Sequence, residues 1–406
     1  MNRKKFLANS AVITLGLSLP FGCSKDDNPV APVEQSEMPP FPYFEVSETS
    51  NYDIGFKIGE HFKVLIQELY KRQMANKIHN PSSPFDGMSI LEILLSFVDS
   101  DPSIYYDPFY NAAQTSFPQY LEEMKGTADA TGIPLKTIFT NMCMLEIMAL
   151  IQSEKPIKKH SPSIKGCSTV SYSSGGKLFL AHNEDFFTAY ADLMYVVKVT
   201  QPGKPTFLSL NYPGGILGIP PAMNDAGIVY SGNQIDLPAS SPGIPFVFVL
   251  RDMLSATSLE DAKSKVQLSN IAYSTHINIG SFKEKKIISA EIMPGKSEIY
   301  EVSDFYVHTN HFVLPTMEGL STTDDNSVIR RDTLIAKSNI YKNKPNEVDG
   351  DLITGWMSSH DGYPNAVCVH LDGGLTVAHS LFDFQNQTWK LYKGNPCANA
   401  YKTIKI

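Results

Sequence analysis

Apolar side chains recur every three to four residues through most of the first 155 positions, which is the spacing of amphipathic helices. Two similar stretches follow further along the chain. The amino-terminal part is therefore predicted to be largely helical. The predicted helices cover Ile54–Met74, Ser89–Val98, Pro118–Thr131, Leu135–Ile151, Pro245–Ala256 and Ser258–Val266.

The pattern changes after Cys167, where short runs rich in β-branched and aromatic residues replace the helical spacing. Gly175-Gly176 separates two such runs and is typical of a hairpin turn. Because helices and strands are segregated along the chain, the predicted fold class is α+β. Further strands are predicted at Met194–Thr200, Thr206–Leu210, Gly227–Tyr230, Thr275–Ile279, Lys286–Ala290 and Thr376–His379.

The first residues have the composition of an export signal. Arg3-Lys4-Lys5 precede an apolar stretch, Ala11–Phe21, that is too short to span a membrane, so residues 1–22 are expected to be a signal peptide. Gly22-Cys23 resembles a bacterial lipoprotein cleavage site, which predicts lipidation of Cys23; ordinary cleavage nearby is the alternative. The expected location is the bacterial cell envelope outside the cytoplasm, on the periplasmic or surface side of the outer membrane, with the lipid as the only membrane contact.

Residues 23–43 are predicted to form a flexible tether. Five prolines fall between Asn28 and Tyr43, and no apolar face is present there. No internal repeat or second linker follows. A single domain is therefore predicted for residues 44–406.

Composition excludes several classes of function. The formal net charge is −8, and no basic run is interleaved with aromatic residues, so nucleic acid is not an expected partner. The chain has neither a phosphate-binding P-loop nor a Gly-x-Gly-x-x-Gly motif, and no cofactor is predicted.

The main candidate for chemistry is Cys167 in Gly166-Cys167-Ser168, with Asp185 eighteen residues later. A free cysteine is only partly ionised at neutral pH and needs a base. If the Gly166–Cys167 bond were cut, the new α-amine of Cys167 would have a pKa near 8 (about 7.7–8.0) and would be tethered beside the thiol. The predicted hairpin would bring Asp185 back to Cys167.

These residues and several later motifs resemble the acyl-coenzyme A:6-aminopenicillanic acid acyltransferase family of N-terminal nucleophile hydrolases, which is similar to the choloylglycine hydrolases and penicillin V amidases. The resemblance extends over almost all of the chain after the leader. It implies a four-layer αββα sandwich with a helical amino-terminal portion. The other motifs that carry it are Asn51–Glu60, Leu121–Gly126, Met223–Gln234, His308–Phe312, Ser327 with Arg330, and Ser359–Pro364.

The resemblance also implies a mechanism. Cys167 would cut the chain after Gly166 into residues 44–166 and 167–406 and would then act as the catalytic nucleophile. Asp185 would orient the new amine, Asn233 would stabilise the oxyanion, and Arg330 matches a family arginine near the site. The implied activity is hydrolysis or acyl transfer on a linear amide such as an N-acyl amine, an N-acyl amino acid or a bile-acid conjugate.

Three further residues are predicted to contact the substrate. Asn183 offers a neutral amide beside Asp185, and Tyr212 precedes the Asn233 motif. Glu184 stands where the acyltransferase itself has an aromatic residue, so the substrate side of the pocket is expected to differ.

Other interpretations of the same residues remain open. Cys143, Cys167, Cys368 and Cys397 could form two disulfides in an oxidising compartment, and Cys368 could pair with Cys397 alone or both could remain buried thiols. His308 and His311 lack a third ligand at a suitable spacing, so structural roles are favoured and no metal is predicted. The alternative function is a lipid-anchored binding protein that has kept the fold and lost its chemistry.

Overall fold

The computed structural model describes residues 33–34, 41–81, 83–154, 166–219, 221–237, 240–371, 374–398 and 400–405. Helices dominate the described chain before residue 155, and strands dominate after residue 166. The predicted α+β class is therefore confirmed. The predicted signal peptide and the lipidation site at Cys23 lie outside the described residues.

Two eight-stranded sheets form the centre of the molecule. Nearly all neighbouring strands are antiparallel; among the described strands only the two short amino-terminal ones, β1 and β2, pair in parallel with their neighbours. The strands are β1 Val33–Glu34, β2 Tyr43–Ser47, β3 Ser168–Ser174, β4 Lys177–Phe187, β5 Tyr195–Thr200, β6 Phe207–Asn211, β7 Ala222–Asn224, β8 Ile228–Gln234, β9 Thr275–Ser281, β10 Lys286–Met293, β11 Lys296–Glu301, β12 Asp304–His308, β13 His370–Leu371, β14 Gly374–Asp383, β15 Thr388–Lys393 and β16 Ala400–Lys405.

The first sheet has the order β1-β16-β15-β14-β4-β3-β12, with β13 attached to β14, and the second has the order β11-β10-β9-β8-β7-β6-β5-β2. Side chains of β4 show why the first sheet is covered on both faces. Leu178 and Leu180 pack between the two sheets, whereas Phe179 and Ala181 pack on the opposite face. Successive residues of a strand point to opposite faces, so the first half of this strand carries apolar side chains on both faces.

Helices cover the outer face of each sheet. The helices before residue 155 and two later helices pack on the second sheet. Two carboxyl-terminal helices pack on the first sheet. The four-layer αββα arrangement expected from the family resemblance is therefore present. The helices are α1 Asn51–His61, α2 Lys63–Ala75, α3 Ile90–Ser100, α4 Pro102–Tyr105, α5 Asp107–Ser116, α6 Pro118–Thr131, α7 Leu135–Met142, α8 Met144–Glu154, α9 Phe246–Met253, α10 Leu259–Val266, α11 Asp325–Asn339 and α12 Gly350–Met357.

Two of the predicted helices are each divided in two. The helical run expected over Ile54–Met74 breaks at Phe62, and the run over Leu135–Ile151 breaks at Cys143, where α7 and α8 meet at 69°. Phe62 and Cys143 are both buried in the core at these breaks, a tertiary effect that apolar spacing does not encode. No single helix of the described chain is long and apolar enough to cross a membrane; α7 with α8 meets those criteria only as a bent pair.

The predicted start of the domain at Phe44 is too late. Phe41 is 1% exposed and packs between the sheets, and β2 already begins at Tyr43. Val33–Glu34 also pair with Ala400–Tyr401 at the edge of the first sheet. The carboxyl-terminal end of the predicted tether is therefore part of the packed structure.

Candidate active site

The β3–β4 hairpin brings Cys167 to β4. The two strands pair from Ser168 with Asn183 to Ser174 with Lys177, around Gly175 and Gly176 at φ angles of 59° and 76°. Glycine adopts such positive φ angles without the steric cost that other residues meet, so the turn depends on this pair. The predicted hairpin is therefore present, and it places Cys167, immediately before β3, beside the middle of β4.

The Cys167 thiol is free and only 6% exposed. Burial raises its pKa well above the usual range, and the neighbouring carboxyl groups of Glu184 and Asp185 add to that effect. The backbone amide of Asp185 donates to the sulfur, and Arg330 acts in the same direction, lowering the pKa. In this state the thiol is protonated at neutral pH, so attack by the sulfur requires a base.

Arg330 fixes the backbone of the nucleophile from the side of α11. Its Nη1 donates to the carbonyl oxygen of Cys167 at 2.8 Å and to Ser168 Oγ at 2.8 Å. Nε and Nη2 donate to the side-chain oxygens of Asn326 and Asn310, at 3.0 and 2.7 Å. Burial lowers the pKa of this guanidinium, but arginine remains charged in proteins. Arg330 therefore places a buried positive charge at the main chain of Cys167.

Only one of the two carboxyl oxygens of Asp185 has a hydrogen bond among the described residues. Its Oδ1 accepts a hydrogen bond from Thr376 Oγ1 at 2.6 Å, and Oδ2 has no hydrogen-bond partner among the described residues. Burial raises the pKa of this carboxyl well above its ordinary value, against the opposing effect of Arg330. Asp185 is thus a buried acid with one unused oxygen beside the nucleophile.

The side chain of Asn233 also contacts the nucleophile, at the backbone carbonyl group of Cys167. The side-chain amide donates to the carbonyl oxygens of Cys167 and His308 at 3.1 and 3.3 Å, and Oδ1 accepts from Thr169 Oγ1 at 2.6 Å. Both amide hydrogens are used in these contacts. Asn233 therefore holds the backbone of Cys167 here, and it directs no spare donor towards an oxyanion.

The nucleophile faces a pocket with apolar walls. Helices α7, α8 and α9 supply much of the lining, and among the described lining residues the only ionisable carboxyl groups are those of Glu184 and Asp185. No lysine or arginine of the described chain lines it. The lining residues are Asn141, Met142, Met144, Leu145, Gly166, Cys167, Glu184, Asp185, Phe186, Tyr190, Tyr212, Ile219, Gly232, Gln234, Phe246, Val247, Leu250 and Thr275.

Glu184 and Asp185 both line this pocket although they are adjacent in β4. The register of β14 shifts between Thr376 and Ala378, opposite these two residues. A β-bulge of this kind bends a strand and re-aims its side chains, and bulges are common next to active sites.

Glu184 belongs to a buried hydrogen-bonded group with two other side chains. Tyr212 OH donates to Oε1 at 2.6 Å, and His182 Nε2 lies 2.8 Å from Oε2. Burial and the Glu184 carboxyl raise the pKa of Tyr212, so its hydroxyl stays protonated and can donate. Side-chain atoms of Cys167, His182 and Glu184 all lie within 4.8 Å of one another. The predicted pocket residues Glu184 and Tyr212 are thus brought together with the nucleophile.

Asn183 is placed elsewhere. Its amide donates to the carbonyl oxygens of Met357 and Val367 at 2.8 and 3.0 Å, and its Oδ1 lies 2.8 Å from His379 Nδ1. It does not line the pocket. The predicted substrate contact of Asn183 is therefore contradicted, because the side chain points to the opposite face of β4 and is fully hydrogen-bonded there.

The structure also separates the other candidates. His308 bonds to Glu291 Oε1 at 2.9 Å, and His311 bonds to Ser327 Oγ at 2.7 Å, in keeping with structural roles. Cys143, Cys167 and Cys368 are free and buried, so the alternative of two disulfides among the four later cysteines is excluded.

Two residues that support the site were not predicted from the sequence. Thr376 is an ordinary strand residue in the sequence, and only the pairing of β14 with β4 places it on Asp185. His182 lies two residues before Glu184, and the period of two in a strand is the signal that would have placed both on one face.

Comparison with known proteins gives a consistent assignment. The sequence profile of the acyl-coenzyme A:6-aminopenicillanic acid acyl-transferase family matches residues 172–398, which include Asp185, Asn233 and Arg330 and begin just after Cys167. The β-alanyl-dopamine/carcinine hydrolase of Drosophila melanogaster is 26% identical over 382 residues, covering 86% of this chain and 91% of that protein.

A fungal relative and a solved structure complete the comparison. The 40 kDa form of acyl-coenzyme A:6-aminopenicillanic-acid-acyltransferase from Emericella nidulans is 25% identical over 242 residues, covering 57% of this chain and 65% of that protein. A mutant conjugated bile acid hydrolase from Clostridium perfringens aligns with 59% of this chain and 97% of its own at 13% identity, and its TM-score of 0.39 is too low to bear on the site. Because the family profile matches more than half of its length, this chain belongs to the acyl-coenzyme A:6-aminopenicillanic acid acyl-transferase family, as the motifs around Cys167 predicted.

Proposed function

We propose that this protein is a self-cleaving cysteine amidohydrolase that acts on a linear amide through an acyl-enzyme on Cys167, with acyl transfer as the related reaction when an amine replaces water. The observation that carries the proposal is the buried, free thiol of Cys167 at an apolar pocket. Arg330 and Asn233 hold the backbone carbonyl group of this cysteine in place. The two curated relatives are named as a hydrolase and an acyltransferase, which supports the same class of chemistry.

Self-cleavage would begin at the Gly166–Cys167 peptide bond. The sulfur attacks the carbonyl carbon of Gly166; the S–C bond forms, the C–N bond breaks, and the nitrogen of Cys167 takes up a proton. Water then hydrolyses the thioester and leaves a carboxylate on Gly166 and a free thiol and amine on Cys167. A Cβ atom at Gly166 would collide with the side chain of Asn310, which holds the scissile residue in place.

Before cleavage, the pair of His182 and Glu184 is suited to take the thiol proton. Thr169 donates its only hydroxyl hydrogen to Asn233, so its oxygen must accept from Nδ1–H of His182. The remaining nitrogen, Nε2, lies 2.8 Å from the Glu184 carboxyl, so a proton taken from the sulfur would be shared between them. This buried pair can therefore exchange a proton with the nearby sulfur.

After cleavage, the amine of Cys167 would become the base. Asp185 Oδ2 is an unused buried acceptor beside the nucleophile and would accept a hydrogen bond from the new ammonium group. In turnover the sulfur attacks the substrate carbonyl, the C–N bond breaks, and the amine of Cys167 delivers a proton to the leaving nitrogen. Water attacks the acyl-enzyme, releases the acid and restores the thiol.

The charges of the pocket favour neutral or cationic substrates. Two carboxyl groups lie in the described lining, and no lysine or arginine is there to bind a carboxylate or phosphate. N-acyl amines therefore fit better than N-acyl amino acids, and acyl-coenzyme A fits poorly as a donor. The β-alanyl-dopamine named for the Drosophila relative is consistent with this preference.

The location and anchor form part of the proposal. A lipid on Cys23 would hold the enzyme in the bacterial cell envelope, on the periplasmic or surface side of the outer membrane, and no nucleic acid partner is proposed. Labelling with a fatty-acid analogue tests this point, since Cys23→Ala should lose the label and leave the membrane fraction.

Two matched substrates test the proposed chemistry. N-acyl tyramine and N-acyl tyrosine share the same acyl and aromatic groups and differ by one carboxylate. We expect kcat/KM to be at least about tenfold higher for the tyramine conjugate, which corresponds to about 1.4 kcal/mol in the transition state. Rapid quenching and mass spectrometry should detect the acyl group on the fragment that begins at Cys167.

The outcomes separate the parts of the proposal. Equal or faster cleavage of the tyrosine conjugate would contradict the substrate class but leave the nucleophile in place. Absence of any acyl adduct and of turnover with both conjugates, in a chain that carries a free Cys167 terminus, would contradict the enzymatic function and favour the binding-protein alternative.

A further inference from the structure

A second cluster of nucleophilic side chains lies outside the pocket, on loops beside the first sheet. His360 belongs to the turn that follows α12, Cys368 precedes β13, and His370 is its first residue. Cys397 approaches from the short helical segment Pro396–Ala398. None of these residues lines the active-site pocket, and neither the proposed mechanism nor the family motifs use their side chains as ligands.

The donor atoms of this cluster converge. His360 Nε2 and His370 Nε2 are 3.2 Å apart, and Cys368 Sγ is 3.3 Å from the same His370 nitrogen. The donor atoms of all these side chains lie within 4.8 Å of one another. Three potential ligand atoms from separate positions of the chain thus lie close together.

These distances match the edges of a tetrahedral zinc site. With Zn–N bonds of about 2.0–2.1 Å and a Zn–S bond of about 2.3 Å, tetrahedral angles place two nitrogens about 3.3 Å apart and a nitrogen and a sulfur about 3.6 Å apart. The observed separations of 3.2 and 3.3 Å are close to those values. Imidazole and thiolate together are also the donors that zinc prefers.

Hydrogen bonding alone does not explain the arrangement. A neutral imidazole nitrogen either donates one hydrogen bond or accepts one through its single lone pair. His370 Nε2 is nevertheless within 3.3 Å of His360 Nε2 and of the Cys368 sulfur. A shared cation would satisfy the lone pairs of all three atoms at once.

The surroundings of Cys368 suit a metal-bound thiolate. The residue is 1% exposed and its thiol is free. Asn395 Nδ2 donates to the sulfur at 3.3 Å and to the carbonyl oxygen of Val369 at 2.7 Å, as an outer hydrogen bond that orients a ligand does.

We propose that His360, Cys368 and His370 bind a structural zinc ion. Cys397 Sγ lies 3.3 Å from His370 Nε2 and 3.5 Å from Cys368 Sγ, but it is disulfide-bonded and is not one of the proposed ligands. Spacing along the chain does not indicate this site, because the ligands have none of the usual short Cys-x-x-Cys or His-Glu-x-x-His spacings.

The zinc ion would stabilise one wall of the active site. Val369 lies between two of the ligands, and its backbone amide donates to Thr376 Oγ1 at 3.0 Å. The same hydroxyl donates to Asp185 at 2.6 Å. Fixing the loop that carries Cys368 and His370 would therefore fix the threonine that holds the catalytic-site carboxyl.

Metal analysis of the purified full chain tests the proposal. After expression with added zinc and dialysis against metal-free buffer, we expect about one zinc ion per chain for the wild type and for Cys167→Ala. Cys368→Ser and His370→Ala should each lower the zinc content at least about tenfold. His79→Ala, which removes an exposed histidine from the loop after α2, is the matched control and should keep its zinc.

A cobalt experiment tests the sulfur ligand directly. Replacement of zinc by Co²⁺ should give the visible bands of a tetrahedral site with a thiolate-to-cobalt absorption, and Cys368→Ser should lose that absorption. If the serine variant does not fold, judged by circular dichroism, His360→Ala at the partly exposed turn provides the second measurement and should lose metal while remaining folded.

Three results would overturn the proposal. The first is a wild-type chain without zinc, including one in which peptide mapping finds a disulfide between Cys368 and Cys397. The second is an unchanged zinc content in Cys368→Ser and His370→Ala. The third is loss of zinc in Cys167→Ala, which would place the metal at the Cys167, His182 and Glu184 group instead.

Discussion

Replacement of Arg330 by methionine should destabilise the folded chain and displace its nucleophile. The guanidinium is 1% exposed and donates to Cys167 O, Ser168 Oγ, Asn326 Oδ1 and Asn310 Oδ1, at 2.7 to 3.0 Å. Methionine has a similar length and no donor. The Cys167 carbonyl would keep its bond from Asn233, but the other three oxygens would lose theirs.

The magnitude follows from two opposing effects. Each buried acceptor left without a donor costs about 1–3 kcal/mol, which amounts to about 3 kcal/mol or more for three. Removal of the buried charge offsets part of that loss of stability, because burial disfavours the charged guanidinium and lowers its pKa. Loss of one member of a buried charged network typically costs about 3–5 kcal/mol net. We therefore expect a loss of about 3 kcal/mol, roughly a 150-fold change in the folding equilibrium.

Urea unfolding followed by circular dichroism measures this effect. The Cys167→Ala background should be used, because it keeps every chain uncut and makes the variants comparable. Arg331→Met is the matched control: this neighbour lies on the same helix, and its Nε has no hydrogen-bond partner among the described residues. Arg330→Lys should be intermediate, because lysine keeps the charge but not the planar fork of donors.

The result that refutes this reasoning is equal stability of Arg330→Met and Arg331→Met. In chains with an intact Cys167, the Arg330→Met variant should also be cut more slowly after Gly166. A stable variant with normal cleavage would mean that the guanidinium does not position the nucleophile.

Three further variants probe the core and the site. Burial raises the pKa of Glu146 to about 7, so the folded chain holds this proton more tightly than the unfolded chain, and the stability it contributes is lost as pH rises through 7. By urea unfolding, Glu146→Gln should match the wild type at pH 4 and exceed it by about 3 kcal/mol at pH 8; a gap independent of pH would contradict this. Thr376→Val removes the hydroxyl bonded to Asp185 and should cost about 1.5–3 kcal/mol in the same assay, whereas Thr376→Ser should cost far less. Gly166→Ala should press against Asn310 and slow self-cleavage about a hundredfold on a gel time course, and an unchanged rate would argue against a held scissile bond.

Local patterns in the sequence were sufficient for the fold class and for the centre of the site. The change from helical to strand spacing at Cys167 predicted the α+β order, and Gly175-Gly176 predicted the hairpin that joins Cys167 to β4. Both depend on interactions between residues close in the chain. The helices α11 and α12 were missed, because their packing faces are set by the first sheet rather than by a strong apolar period.

The remaining parts of the site depend on contacts between distant segments. The interruption of β14 beside Asp185 is a matter of strand register, and no local motif records it. Asn183 and Glu184 were both predicted in the pocket, yet adjacent residues of a strand face opposite ways, and this rule favours only one of them. The cluster at His360, Cys368 and His370 depends on two loops meeting, which spacing alone did not indicate.

Intact-protein mass spectrometry of the purified full chain tests the central claim most directly. We expect two polypeptides, one of which begins at Cys167, and a single uncut chain for Cys167→Ala. Cys143→Ser, which changes another buried free cysteine, should be cut normally. A single uncut chain in the wild type would contradict the account, because the thiol would then remain protonated at the buried Gly166–Cys167 junction without its amine base.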